Sequence, residues 1–308
     1  MFELVFLGTS ASAPSLRRGL SAQVVKHNEY RFLIDCGEGT QRQILKSGIG
    51  FKRLNHILIT HGHLDHILGL AGLFATLGRW ETLEQVEILA GAWALERIEA
   101  LLYGVRVVPR GRKTNLDLKL TELQPGVIFD DEDFSISAFP VSHRGPDCYG
   151  FVFEEKARRQ FLADRAAELG VPAGPERREL VAGRPITLAD GRTIQPEEVL
   201  GPLIAGAKLV HIGDAGRTDN LLEVCRDADG LIIEATYLEV EAELAAQFSH
   251  LTARQAATLA VEAGVKQLFL THISRRYREK EVLEEAQSVF PDAVVARDFD
   301  QYKVVKAR

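Results

Sequence analysis

What this sequence lacks narrows it before any motif does. Its 308 residues hold three cysteines, Cys36, Cys148 and Cys225, far apart and in no CxxC spacing. That excludes a disulfide framework and a cysteine-built zinc site, and leaves buried reduced thiols in a cytoplasmic protein as the reading. No stretch reaches the ~18 consecutive apolar residues that a membrane-spanning helix needs. The opening apolar run is short and carries Glu3, so it reads as neither a signal peptide nor an anchor. An excess of positive charge is missing too, the formal net charge being -6. The average therefore gives no pull towards nucleic acid, although a local basic patch would serve.

What is present is an ordinary globular composition, 46% hydrophobic and 26% charged, enough for a core of normal size. Short apolar runs at 4–7, 23–25, 31–34 and 55–60 read as strands bounded by turn residues. Thr40–Ser47, 66–78 and 92–103 read as helices. Strands follow at 117–123, 134–139 and 148–153, then a helix over 156–169. The stretch 170–202 is rich in Gly, Pro and charge and carries little core-forming pattern. A segment that long inside a compact domain is usually functional, and it reads as a protruding insertion. Regular alternation resumes with strands at 208–212, 230–234 and 266–270 and helices near 217–227, 252–263 and 279–289. No internal repeat stands out. Strands alternating with helices imply sheets covered by helices, and the hairpin-like pairs near the start favour a layered α/β/β/α arrangement with mixed sheets.

The chemistry concentrates in Thr60-His61-Gly62-His63-Leu64-Asp65-His66, directly after the apolar run Ile57-Leu58-Ile59. His61 and His63 are two apart, so on extended chain their side chains share a face. A turn at the strand end can aim Asp65 and His66 at a second point nearby. Imidazole nitrogen and carboxylate oxygen without thiolate suit zinc, with manganese or iron also possible. One short loop cannot complete two ions, and the remaining donors are sought at the ends of other apolar runs. His143 follows Phe139-Pro140-Val141-Ser142, Asp214 follows Val210-His211-Ile212-Gly213, and His272 follows Leu268-Phe269-Leu270-Thr271. Carboxyl ends of strands are where α/β folds place chemistry. His56 and His211, inside strands, read as core or supporting residues, and His27 as a surface residue.

HxHxDH followed by a His, an Asp and a final His resembles the ligand order of the metallo-β-lactamase superfamily. The resemblance implies an α/β fold, the αββα sandwich, as a single domain over 1–308 with an arm inserted at about 154–202. It also implies two zinc ions per subunit: one held by His61, His63 and His143, the other by Asp65, His66 and His272, with Asp214 bridging. Further segments resemble the ribonuclease Z family in particular. They are the opening Phe6-Leu7-Gly8-Thr9-Ser10-Ala11-Ser12-Ala13-Pro14, then Ile34-Asp35-Cys36-Gly37-Glu38-Gly39-Thr40-Gln41, Glu234-Ala235-Thr236-Tyr237, His250-Leu251-Thr252, and Leu270-Thr271-His272-Ile273-Ser274-Arg275-Arg276-Tyr277. Gly170-Val171-Pro172-Ala173-Gly174-Pro175 looks like the glycine-proline signature of that family's tRNA-gripping arm. One loop departs from the pattern. Where the family often has Pro-x-Lys-x-Arg-Asn, tied to handling of the CCA end, this chain has Pro14-Ser15-Leu16-Arg17-Arg18-Gly19: Arg18 is kept, but Leu16 stands for Lys and Gly19 for Asn.

By this resemblance the chain is expected to cut the 3′ trailer from precursor tRNA, leaving a tRNA 3′-hydroxyl and a 5′-phosphate on the trailer. Asp65 would be the general base, and His250, oriented by Glu234, the proton donor to the departing oxygen. Arg18, Arg177, Arg178 and Arg276 are candidate RNA contacts, with Arg184 and Arg192 also on the arm and a basic cluster at Arg106, Arg110, Arg112 and Lys113. Family members act as homodimers, which implies the same here. The alternative is another dinuclear-zinc phosphodiesterase or thioesterase of the superfamily, which would not need the arm.

Overall fold

The strand Phe2–Gly8 sets the layering. Successive side chains of a strand point to opposite faces, and here both faces are apolar. Phe2, Leu4 and Phe6 enter one core cluster while Val5 and Leu7 enter another. A strand apolar on both sides must be covered on both sides. The structure, a computed structural model describing residues 1–80, 83–104 and 116–307, provides that cover.

Two seven-stranded sheets are formed among the described residues. The first runs, in spatial order, Gln301–Val304, Phe2–Gly8, Ala22–His27, Tyr30–Ile34, His56–Leu58, Gln85–Ala90 and Asp117–Glu122. It is antiparallel up to Tyr30–Ile34 and parallel from there on. The second runs Val294–Val295, Leu268–Thr271, Gly230–Glu234, Lys208–His211, Tyr149–Glu155, Phe134–Pro140 and Gly126–Asp130. Its first four strands are parallel.

The inner faces meet in one cluster that includes Phe2, Phe32, Phe134, Phe151, Phe153, Leu209, Ile232 and Phe269. Helices Thr40–Ser47, Gly69–Trp80 and Ala92–Gly104 cover the outer face of the first sheet through Ile44, Leu73, Phe74 and Ile98. Ala253–Glu262 and Glu279–Gln287 cover that of the second through Ala256, Ala260 and Val282. The expected αββα sandwich with mixed sheets is what forms. Among the described residues no helix is long and apolar enough to cross a membrane. The three cysteines are buried and free, and burial pushes the thiols of Cys148 and Cys225 up to about 12.

Several expectations need correction. His27 is buried, 4% exposed, with its ring 4.5 Å from that of Phe134 and 5.0 Å from that of Phe2. The reason is the period of two: Val25 lies in the inter-sheet cluster, and His27 follows it onto the same face. The helix expected over 66–78 is two helices, Leu64–Ile67 and Gly69–Trp80, so Asp65 and His66 sit on a first helical turn. The helix near 217–227 shrinks to Leu222–Cys225. Strands Gln85–Ala90, Gly126–Asp130 and Gln301–Val304 and the helix Ala242–Phe248 were not legible as separate elements.

Glu155–Gly206 forms a separate compact unit. The helix expected over 156–169 is instead a strand, Arg158–Phe161, and a short helix, Ala163–Glu168. The strand pairs with Leu200–Ile204, and Ile186–Thr187 pairs with Thr193–Ile194. The unit also has its own small core of Ala166, Val171, Leu180, Ile186, Ile194 and Val199. Those apolar residues stand singly among charges, which hid the pattern.

Phe134 sits among the rings of Phe2, Tyr30, Phe32 and Phe129, all within 6.1 Å. Replacing it with Ala is expected to cost about 3–5 kcal/mol, the usual penalty for truncating a buried aromatic, read as a lowered denaturant midpoint.

Candidate metal centre

The carboxyl ends of the parallel strands point to one rim of the sandwich, and the candidate donors lie there. His61 and His63 follow His56–Leu58, Asp214 follows Lys208–His211, and His272 follows Leu268–Thr271. His143 comes from the segment after Phe134–Pro140. One ligand atom each from His61, His63, His143 and Asp214 lie within 4.8 Å of one another, and the same holds for Asp65, His66 and His272. Asp214 lies between the two groups, its Oδ2 3.8 Å from His61 Nε2, 3.7 Å from His143 Nε2 and 3.5 Å from His66 Nε2, and its Oδ1 3.4 Å from His272 Nε2. The seven residues proposed from the sequence are thus brought together.

Hydrogen bonds outside the cluster decide which ring nitrogens face it. His143 Nδ1 is 2.7 Å from the carbonyl of Ser249, which can only accept, so Nδ1 carries the proton and Nε2 the lone pair. His66 Nδ1 likewise donates to Asp35 Oδ2 at 2.7 Å. The Thr60 hydroxyl donates to Asp35 and therefore accepts from His61 Nδ1 at 3.0 Å. The Thr236 hydroxyl donates to Glu234 and accepts from His272 Nδ1 at 2.9 Å. Four rings thus send their Nδ1 proton outward and turn Nε2 inward, which is how imidazoles are prepared for a metal. His63 turns its Nδ1 in instead, 2.8 Å from His61 Nε2 and 3.3 Å from His143 Nε2.

A cation fits this donor set. With the ring protons of His61 and His143 committed elsewhere, at most one proton serves three facing nitrogens. His66 Nε2 and Asp214 Oδ1 are buried without a hydrogen-bond partner, and each such orphan costs about 1–3 kcal/mol unless something charged meets it. Protonation follows the same logic. Burial, aided by neighbouring imidazoles, lowers His61 well below its ordinary value and His63 to about 4. Burial also lowers His143. Burial opposes charge on Asp214, yet His272 and His66 hold it well below the usual carboxylate range. His66 goes the other way: burial opposes its charge, but Asp214 and Asp35 raise it well above its ordinary value, so a metal ion at its Nε2 would take the place of a proton.

His250 borders the cluster, with a ligand atom within 4.8 Å of ones from Asp214 and His272. Its Nδ1 lies 3.0 and 3.1 Å from the two oxygens of the fully buried Glu234. Burial disfavours its charge, but Glu234 and then Asp214 outweigh that and raise it to about 9. Its place is set locally. Thr252, two residues on, caps Ala253–Glu262 by accepting from the Gln255 amide at 3.1 Å, while Gln255 Oε1 accepts from the Thr252 amide.

Sequence reasoning missed the supporting residues Asp35, Thr60 and Thr236 and the Ser249 carbonyl. Asp35 was findable, since it follows the apolar run Phe32-Leu33-Ile34 by the rule that selected His61. Its neighbourhood is tight: a Cβ on Gly37 would meet the Asp65 carbonyl oxygen at 2.4 Å. The candidate RNA contacts fare differently. Arg18 donates to Thr9 Oγ1 and the Ala296 carbonyl at 2.6 Å and pairs with Glu279 at 2.7 Å. Arg276 pairs with Glu241. Arg177 donates to the carbonyls of Val171 and Pro172, Arg184 pairs with Glu179 and Arg192 with Asp190, while Arg178 is exposed. The cluster from Arg106 to Lys113 lies outside the described residues.

Sheets, rim and donor set together define a class. The family model described as Anti-Pycsar protein Apyc1 matches residues 2–169 and that described as Beta-lactamase superfamily domain matches 178–273, so the protein is a β-lactamase superfamily member. Ribonuclease Z of Bradyrhizobium diazoefficiens is 49% identical over 304 residues, covering 99% of this chain and all of that one. Ribonuclease Z of Archaeoglobus fulgidus is 37% identical over 99% of this chain and 98% of its own. The chain belongs to the ribonuclease Z family. The crystal structure of human tRNase Z, short form, superposes with a TM-score of 0.69 at 26% identity, covering 98% of this chain and 99% of the human one.

Asp35→Asn exchanges the acceptor for His66 Nδ1 and Thr60 for a side chain that can also donate. Metal affinity is expected to fall about 10–100-fold, the usual cost of losing such a supporting partner, with the fold retained. Chelator competition on the purified variant measures it.

Proposed function

We propose that this protein is a metal-dependent endoribonuclease that removes the 3′ trailer from precursor tRNA, leaving a tRNA 3′-hydroxyl and a trailer 5′-phosphate. Membership in the ribonuclease Z family supports the substrate. The observation that carries the chemistry is His250, kept charged by Glu234 beside a seven-residue donor cluster.

Two zinc ions suit the donors, one on His61, His63 and His143 and one on Asp65, His66 and His272, with Asp214 shared; manganese or iron would accept the same nitrogen and oxygen set. Such ions, when bound, supply positive charge against a phosphate and make water acidic enough to be a nucleophile near neutral pH. Asp65 serves as general base, taking the proton of the attacking water as its oxygen bonds to phosphorus. Burial opposes the charge on Asp65, but His272 and His66 lower its pKa and keep it ionised. As the bond from phosphorus to the 3′ oxygen breaks, His250 gives that oxygen a proton, and Glu234 holds the ring and offsets its charge.

RNA affinity comes mainly from cations on phosphates. Of the four arm arginines singled out from the sequence, Arg178 is best suited, since Arg177, Arg184 and Arg192 are engaged within their own unit. A second basic surface is a cleft of about 240 Å³ bordered by Arg17, Arg42 and Lys46, all exposed. Homodimerisation, with the arm of one subunit holding the tRNA cut by the other, is part of the same reading.

Incubation with precursor tRNA, with and without chelator, tests it: one chelator-sensitive cut at the 3′ side of the acceptor stem is expected. No cut on any precursor would return the chain to the small-substrate hydrolases. His250→Ala is expected to lower kcat by about 100-fold or more, within the usual range for general acid catalysis, while metal content stays at the wild-type level. Loss of metal in that variant would make His250 structural.

A further inference from the structure

Asp65 has one hydrogen bond from outside the donor cluster among the described residues: the Ser12 amide donates to its Oδ2 at 2.9 Å. The same oxygen is 3.4 Å from His272 Nε2 and 3.8 Å from His66 Nε2. Ser12 is exposed and has φ 56°, the left-handed region that costs a non-glycine residue about 1 kcal/mol or more. An exposed turn does not keep such a conformation unaided, so its flanks must hold it.

They do so at both ends. Upstream, Ile273 donates its amide to the Thr9 carbonyl at 2.8 Å and Ala11 donates to the Ile273 carbonyl at 3.1 Å, tying the turn to the residue after His272. Downstream, the loop folds back through Arg18, whose side chain is 12% exposed. Its guanidinium reaches Thr9 Oγ1, the Ala296 carbonyl and Glu279. Asp298 completes the anchor by accepting from Thr9 Oγ1 at 2.8 Å, the Gly19 amide at 2.6 Å and Gln43 Nε2 at 2.7 Å. Thr9 and Gly19 are the two ends of the loop, and Arg18 and Asp298 together pin both.

We infer that Arg18 and Asp298 are positioning residues that clamp the 9–19 loop so that the Ser12 amide holds the Asp65 carboxylate in place for metal binding and proton transfer. Arg18 then serves the chemistry from inside the protein, without touching RNA. The inference rests on the proposed role of Asp65 as ligand and base.

Arg18→Ala, with Arg18→Lys and Asp298→Asn beside it, separates this role from an RNA contact. With Arg18→Ala, one bound metal ion is expected to leave at about 10–100-fold lower chelator concentration than in the wild type, the range for supporting partners of a metal ligand. The ion on His61, His63 and His143 should be retained. On precursor tRNA, kcat should fall and recover in part with excess metal, while KM and its salt dependence stay unchanged. Arg18→Lys should restore part of the loss, and Asp298→Asn should repeat the pattern if Arg18→Ala fails to fold. Hydrogen exchange at the Ser12 amide should quicken in each variant that shows the defect. A raised KM with a shallower salt dependence and unaltered metal retention would make Arg18 an RNA contact and overturn the inference, as would wild-type behaviour throughout. Metal retention and amide exchange need no RNA, so they decide the matter even if the wild type leaves precursor tRNA uncut.

Discussion

Four of the imidazoles at the centre give their Nδ1 proton away from it, to Ser249, Asp35, Thr60 and Thr236. That choice of tautomer is the constraint on which the rest depends. It turns ring nitrogens and carboxylate oxygens towards one another in a buried place, an arrangement that is unfavourable unless positive charge, a proton or a metal ion, sits among them. The layers around it exist in part to make the choice unavoidable. A carbonyl cannot donate, and a carboxylate at neutral pH cannot either; the Thr60 and Thr236 hydroxyls can, but each already donates to a carboxylate, Asp35 or Glu234, so all four rings are fixed.

Glu234 joins the two halves of the chemistry. It is fully buried, and it accepts from the Ala215 amide at 2.7 Å, from the Thr236 hydroxyl and from His250. Through Thr236 it orients His272, a candidate metal ligand, and through direct contact it charges His250, the candidate acid. One carboxylate at the end of Gly230–Glu234 therefore couples where the metal is held to where a proton is available. His272 itself has φ 54°, and the residue after it is bonded to the loop that carries Ser12. Two left-handed non-glycine residues thus meet at the rim, where strain is held by surrounding hydrogen bonds.

Strand ends were legible because a buried apolar run is visible in one dimension, and the residue that follows it inherits a predictable position. His61, His143, Asp214 and His272 were found that way, and Asp35 could have been. The inserted unit was less legible. Its core uses single apolar residues such as Val171, Leu180 and Val199, each flanked by polar ones, so neither a period of two nor of 3.6 emerges. His27 was misplaced because a lone histidine carries no burial signal apart from the strand phase shared with Val25.

The order of donors, the alternation of strands and helices and the absence of cysteine chemistry belong to the sequence alone, since each depends on residue type and spacing along the chain. Which nitrogen of each ring faces the centre, which arginines remain free for a partner, and that Arg18 reaches Glu279 across 261 positions were decided only by the tertiary structure. Hydrogen-bond partners are chosen by distance in space, and burial removes every alternative that water would have offered.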